Sequence, residues 1–220
     1  LPERINAQTL NFFCTLARQC FRNEYIYRES AEEAAQAATL QEQIEDRLRQ
    51  PEETLPRAAI TVLACYRPLG SMAESGRLQG HELASRGDTF DRLITQQVRD
   101  QAAERALAGS IAELGESGDK TSRKVRSEYE ENPYPRWRHV AVLKRTSFAI
   151  AMKWGYPHCS PPVAVNGPLR VLVAGCGTGR EPIDFALCHT DVEVLAIDIS
   201  RSSLAYGVRM AEKLDAGNVR

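Results

Sequence analysis

Residues 171–179 read Val-Leu-Val-Ala-Gly-Cys-Gly-Thr-Gly, an apolar run that halts at three glycines spaced Gly-x-Gly-x-Gly. A second apolar run, Val192-Glu193-Val194-Leu195-Ala196-Ile197, stops at Asp198. Short β-branched runs bounded by turn residues predict strands. Strand, glycine turn, helix, strand and terminal carboxylate, in that order, predict the opening half of a doubly wound parallel nucleotide-binding sheet. The first strand, Arg170 to Ala174, is expected to be buried on both faces, as parallel strands usually are. Helices are expected at about Arg180–His189 and Ser202–Ala216, the second stopped by Gly217-Asn218, with Val219-Arg220 opening a third strand. The sequence ends there, so we expect the catalytic half of such a sheet to lie outside it.

The glycines have a physical task. A side chain at 175, 177 or 179 would obstruct a ligand's approach to the backbone, and a tight turn there calls for positive φ. A dinucleotide fold asks for glycine at 180, in the order G-x-G-x-x-G, so that a pyrophosphate meets the helix start. The chain has Arg180 instead, which favours S-adenosylmethionine, a ligand with no pyrophosphate, over NAD or FAD. Asp198 is placed to accept from both ribose hydroxyls. The plainer alternatives are a glycine turn that only packs helix on sheet and an aspartate that only caps the next helix.

Upstream, the pattern is helical. Leu10, Phe13, Cys14, Ala17, Cys20 and Phe21 recur at three- and four-residue spacing, one apolar stripe on a helix. Ser30-Ala31-Glu32-Glu33 matches a capping box, and the helix it opens should end near Gln50, before Pro51. A further helix is expected over Pro56–Tyr66, broken by Arg67-Pro68-Leu69-Gly70-Ser71. Another, broken once, is expected over Thr89–Leu114 with Phe90, Leu93, Ile94 and Val98 inward. No 34-residue self-similarity stands out.

The polar stretch Gly115-Glu116-Ser117-Gly118-Asp119 reads as a linker. The expected organisation is therefore an α-helical region at 1–114, a linker and aromatic segment at 115–168, and a half-sheet at 169–220. Within the middle segment, Ser127–Trp137 carries two prolines and is expected to be extended or turning. Its Tyr129, Asn132, Tyr134, Arg136 and Trp137 are candidates either to clamp the helical region onto the sheet or to form a lid over cofactor and substrate. His139 to Trp154 is expected to be wholly or partly helical.

The net charge of −1 over 220 residues gives no basic footprint for nucleic acid or anionic lipid. No apolar run is long enough for a membrane span. The six cysteines lack C-x-x-C pairing, so reduced thiols and a cytoplasmic location are expected. Cys176 and Cys188 read as small buried residues rather than nucleophiles. His158-Cys159 and His189 lack ligand spacing, so no metal is expected.

Val171–Gly179 and Val194–Ser200 resemble motifs one and two of the class I S-adenosylmethionine-dependent methyltransferases. Phe13–Tyr25 and Tyr129–Trp137 (Tyr-Glu-Glu-Asn-Pro-Tyr-Pro-Arg-Trp) resemble bacterial proteins that join tetratricopeptide repeats to such a methyltransferase. The resemblance implies an α/β chain, a helical N-terminal region followed by the first half of a Rossmann-like doubly wound parallel sheet. It implies methyl transfer from S-adenosylmethionine to an unknown acceptor. Gly175, Cys176, Gly177 and Gly179 would line the methionine and ribose side, Asp198 would hold the ribose hydroxyls, and Ile199 would pack on adenine. Many members carry an acidic residue where Val173 stands. A rival expectation is a non-catalytic scaffold whose helical region binds a protein partner. An unpaired strand edge at Val171–Ala174 or its neighbour would invite a second copy of the chain or burial under the helical region.

Overall fold

The apolar stripe near the start of the chain folds into α1 (Ala7–Arg22), with Cys14, Ala17, Cys20 and Phe21 buried. The Asn6 side chain accepts from the Thr9 amide at 2.8 Å and caps it. In this computed structural model the described residues are 5–50, 56–79, 88–113, 115, 120–141, 145–158 and 167–220. They fall in two units, Leu1–Ala103 and Glu104–Arg220.

In the first unit α2 (Ala31–Arg49) starts at the expected capping box: the Glu33 amide donates to the Ser30 hydroxyl and the Ser30 amide donates back to Glu33. Pro51, its expected stop, lies outside the described residues. After α3 (Arg57–Leu63), 3-10 turns at Leu69–Ser71 and Ser75–Gln79 replace the helix where Pro68 and Gly70 interrupt it. The last helical stretch is α4 (Thr89–Ile94), a π turn at Thr95–Arg99, and α5 (Asp100–Ala108). It ends earlier than the Leu114 expected. Ile44, Leu48, Ile60, Leu63, Leu69, Phe90, Leu93 and Ile94 form one core. The π turn sends Gln97 into that core. Its amide donates to the Ala17 and Ala64 carbonyls and accepts from the Leu69 amide, so the buried polar group is satisfied.

The divide between units lies inside α5, upstream of the expected linker, of which only Gly115 is described. The span 115–168 supplies α6 (Lys120–Glu131) and α7 (Phe148–Gly155) to the second unit. Helix α6 runs through Ser127–Glu131, which were expected to be extended. Proline restricts the residue before it, and for Pro133 that is Asn132 alone. His139–Trp154 is helical in part, as expected: its described residues before α7 are not helical, and α7 begins at Phe148.

Strands β1 (Leu169–Ala174) and β2 (Val192–Ile197) pair in parallel, Leu169 opposite Val192 through Ala174 opposite Ile197. Helix α8 (Arg180–Cys188) connects them, and α9 (Arg201–Lys213) follows. Val219 then bridges in parallel to Val194, with Asn218 and Arg220 bonded to β2 at 2.8 Å, the expected start of a third strand. β2 therefore has a neighbour on each side. Helix α9 ends before Gly217-Asn218 because Asp215, at φ 56°, takes the left-handed position.

Val192 and Val194 are buried with Ala186 of α8, and Phe148, Phe185, Val171 and Val173 pack against them. The opposite face corrects the expectation of two buried faces. Leu172 and Leu195, partners across the ladder, are 61% and 50% exposed, because the described helices that touch the sheet lie on the valine face. Among the described residues no helix is long and apolar enough to cross a membrane.

Candidate functional site

The three glycines of the turn all have positive φ: 72° at Gly175, 54° at Gly177 and 77° at Gly179. They differ in what surrounds them. Among the described residues a Cβ at Gly175 or Gly177 would meet nothing within 4 Å, so these two present bare backbone to open space there. A Cβ at Gly179 would stand 3.0 Å from the Cα of Gly207 in α9. Gly179 is thus a packing glycine, set against the backbone of α9. The expected alternatives divide along the turn: its first half is open and its second half packs.

Asp198 follows β2 and turns back to the glycines. Its carboxylate accepts from the Gly177 amide at 2.8 Å and from the Ser200 amide at 2.9 Å. It therefore fixes the open half of the turn and steers the chain into α9. Each oxygen accepts from one of these amides, and a carboxylate oxygen has room for a second bond. Ile199 is 43% exposed beside it. Burial, then the charge of Asp198, push the Cys176 thiol up to about 11, so it is a protonated thiol at neutral pH and not a ready nucleophile.

The aromatic segment divides as well. Trp137 and Arg136 are buried, while Tyr129 and Tyr134 are exposed, as is Asn132. The Trp137 indole donates to the Thr178 carbonyl at 3.0 Å, and the Thr178 hydroxyl donates to the Pro135 carbonyl at 2.8 Å. The Tyr206 hydroxyl of α9 donates to the Trp137 carbonyl, and the two rings meet edge to face. Arg136 and Arg209 share Glu104, at 3.6 and 2.8 Å. These two members of the expected lid are built into the second unit's framework.

Both helix starts around the turn carry acid. Helix α8 has Glu181 in its first turn and Pro182, which has no N–H to donate. The amides at the start of α9 are taken by Glu130 of α6, whose carboxylate accepts from the Arg201 amide at 2.6 Å, the Ser202 amide at 3.0 Å and the Ser202 hydroxyl at 2.6 Å. The Ser200 hydroxyl donates to the Tyr129 carbonyl alongside. The start of α9 therefore offers no free, anion-seeking amides of the kind on which phosphate sites depend.

Glu130 was not among the residues singled out in the sequence. No spacing rule links it to a helix so far along the chain. Gly207 did leave a signal. A glycine inside a helix costs about 0.5–1 kcal/mol relative to alanine, and its retention marks a close backbone approach.

Burial resists ionisation of Glu130, but the bonds from Ser202 and the Arg201 amide outweigh it and hold the carboxyl below its ordinary value. A carboxyl lowered in the folded state stabilises above its unfolded pKa, and that contribution is lost as pH falls through the folded value. The second unit should therefore lose stability as pH drops below about 4.3. Urea midpoints at neutral and acid pH should show a smaller difference in Glu130→Gln than in the parent. An identical acid dependence would disprove this role.

Among the described residues no group of three or more His, Cys, Asp or Glu stands together as a metal set; Cys159 lies outside them. No family model, curated protein or solved structure matches the chain.

Proposed function

We propose that the parallel βαβ unit is the opening of a Rossmann-like sheet that binds S-adenosylmethionine for methyl transfer to an unknown acceptor. The observation that carries this reading is the open, positive-φ backbone at Gly175 and Gly177 with the Asp198 carboxylate bonded beneath it. The ligand's adenosine suits that geometry: bare backbone admits close approach, Asp198 has lone pairs for ribose hydroxyls, and half-exposed Ile199 offers an apolar surface to a base. Glu181, Pro182 and Glu130 disfavour a pyrophosphate and tolerate a cationic ligand, which supports a sulfonium donor over NAD or FAD.

Bound there, S-adenosylmethionine supplies an electrophilic methyl carbon that an acceptor's lone pair takes as the sulfur leaves as a thioether. The chain's own residues bind and orient; no side chain described here is assigned as acid or base. Such displacement depends chiefly on positioning.

Calorimetric titration with S-adenosylmethionine, its demethylated product and NAD tests the reading. The first two should bind and NAD should not. Asp198→Ala should weaken binding by about 1–3 kcal/mol, the cost of stranding buried polar partners. Tighter binding of NAD, or an unaffected Asp198→Ala variant, would overturn it. A second reading, a scaffold that engages a protein through the helical unit, draws on the exposed Phe12 and Leu16, four residues apart on α1.

A further inference from the structure

We propose that Trp137 is a positioning residue for the glycine turn, acting through the Thr178 carbonyl; the ligand arm of this inference rests on the cofactor reading above. A turn with three positive-φ glycines has little stiffness of its own, because glycine restricts the backbone least of all residues. Its internal bond runs from the Gly179 amide to the Cys176 carbonyl at 3.0 Å. The remaining support comes from outside and from two sides.

On one side the end of β2 holds the turn: the Ile197 carbonyl accepts from the Gly175 and Cys176 amides at 2.8 and 3.1 Å, and Asp198 holds the Gly177 amide. On the other, the indole of Trp137 holds the carbonyl of the next residue, Thr178, which is 2% exposed. The Thr178 hydroxyl returns a bond to the Pro135 carbonyl, two residues before the tryptophan. Trp137 is itself fixed by the Tyr206 hydroxyl on its carbonyl and by the Tyr206 ring at 6.0 Å. Tyr206 precedes Gly207, which backs Gly179. The chain of contacts closes on itself: turn, tryptophan, tyrosine, helix, turn.

The indole N–H sits on the buried side of a peptide unit whose neighbour, Gly177, faces open space. It fixes that peptide plane, and with it the direction in which the Gly175–Gly177 backbone faces a ligand. A turn fixed beforehand loses less entropy on binding. Trp137 touches no ligand in this account. It holds the surface that does.

The test uses the whole chain with Trp137→Phe, which keeps an aromatic ring in the cluster of Ile183, Tyr206 and Met210 but loses the N–H, and Thr178→Val, which loses only the hydroxyl. Amide hydrogen exchange without ligand should quicken about tenfold at Gly177 and Gly179 in both variants, with residues 192–197 of β2 nearly unchanged. Affinity for S-adenosylmethionine should fall about tenfold, the effect of one buried hydrogen bond. Unchanged exchange at the turn, or a uniform rise across β1, β2 and α9, would overturn the proposal, as that pattern belongs to general destabilisation. If Trp137→Phe fails to fold, Thr178→Val decides. If neither folds, these contacts hold the fold rather than the turn, and the proposal fails. If the parent chain does not bind S-adenosylmethionine, the cofactor reading falls while exchange still decides the role of Trp137.

Discussion

Gly177→Val is expected to abolish the proposed binding of S-adenosylmethionine and to leave the helical circular dichroism of the chain intact. Two effects combine at this position. At φ 54° a β-branched side chain is a backbone outlier, so the turn must shift or store strain. The added carbons also occupy the open space into which Gly177 faces. No described residue reaches that space, so the folded helices have no clash to relieve. The shift would pull the Gly177 amide from Asp198, which then loses one of its two backbone donors. Calorimetric titration beside far-ultraviolet circular dichroism reads both halves of the expectation. Normal binding by a folded variant would mean that the turn does not face the ligand.

Gly179→Ala should have the opposite signature, loss of stability in the second unit rather than a simple loss of affinity. Its Cβ would sit 3.0 Å from the Gly207 Cα and 3.5 Å from Ile183 Cδ1, at φ 77°. The left-handed conformation costs an L-residue about 1–2 kcal/mol, and forcing atoms into a packed contact adds about 1–3 kcal/mol. The expected cost is therefore about 2–5 kcal/mol. Gly175→Ala, with φ 72° but nothing within 4 Å, provides the control and should lose only the first of these. Denaturant midpoints separate the two. Equal costs at 175 and 179 would show that α9 does not press on the turn.

The elements were legible where short-range physics decides them. The α1 stripe, the Ser30–Glu33 capping box, both strands and the glycine conformations follow from period, caps and steric limits within a few residues. What the sequence hid was decided at long range. Glu130 reads as one acid in a charged helix until α9 brings its amides to it. The part of the aromatic segment expected to be extended was helical because nothing local before Asn132 forbids helix. Gly179 could not be told from Gly175 and Gly177 without knowing that Gly207 lies opposite. The exposed face of Leu172 and Leu195 contradicts a rule about parallel sheets, because that rule presupposes helices on both sides.

The bonds that organise the turn also imply an order of assembly. Asp198 to Gly177 closes a loop of 21 residues, Trp137 to Thr178 one of 41, and Tyr129 to Ser200 one of 71. Loop-closure entropy grows with the logarithm of length, so the longest of these costs about 1 kcal/mol more than the shortest before any contact rewards it. The β1–α8–β2 hairpin-sized unit can therefore form its aspartate-braced turn first, from local search alone. The tryptophan and then the Glu130 cap arrive on a turn that already exists. A nascent chain emerging N-terminus first would carry the aromatic segment exposed until β2 and α9 follow, so the buried indole of Trp137 is among the last surfaces of the second unit to leave water.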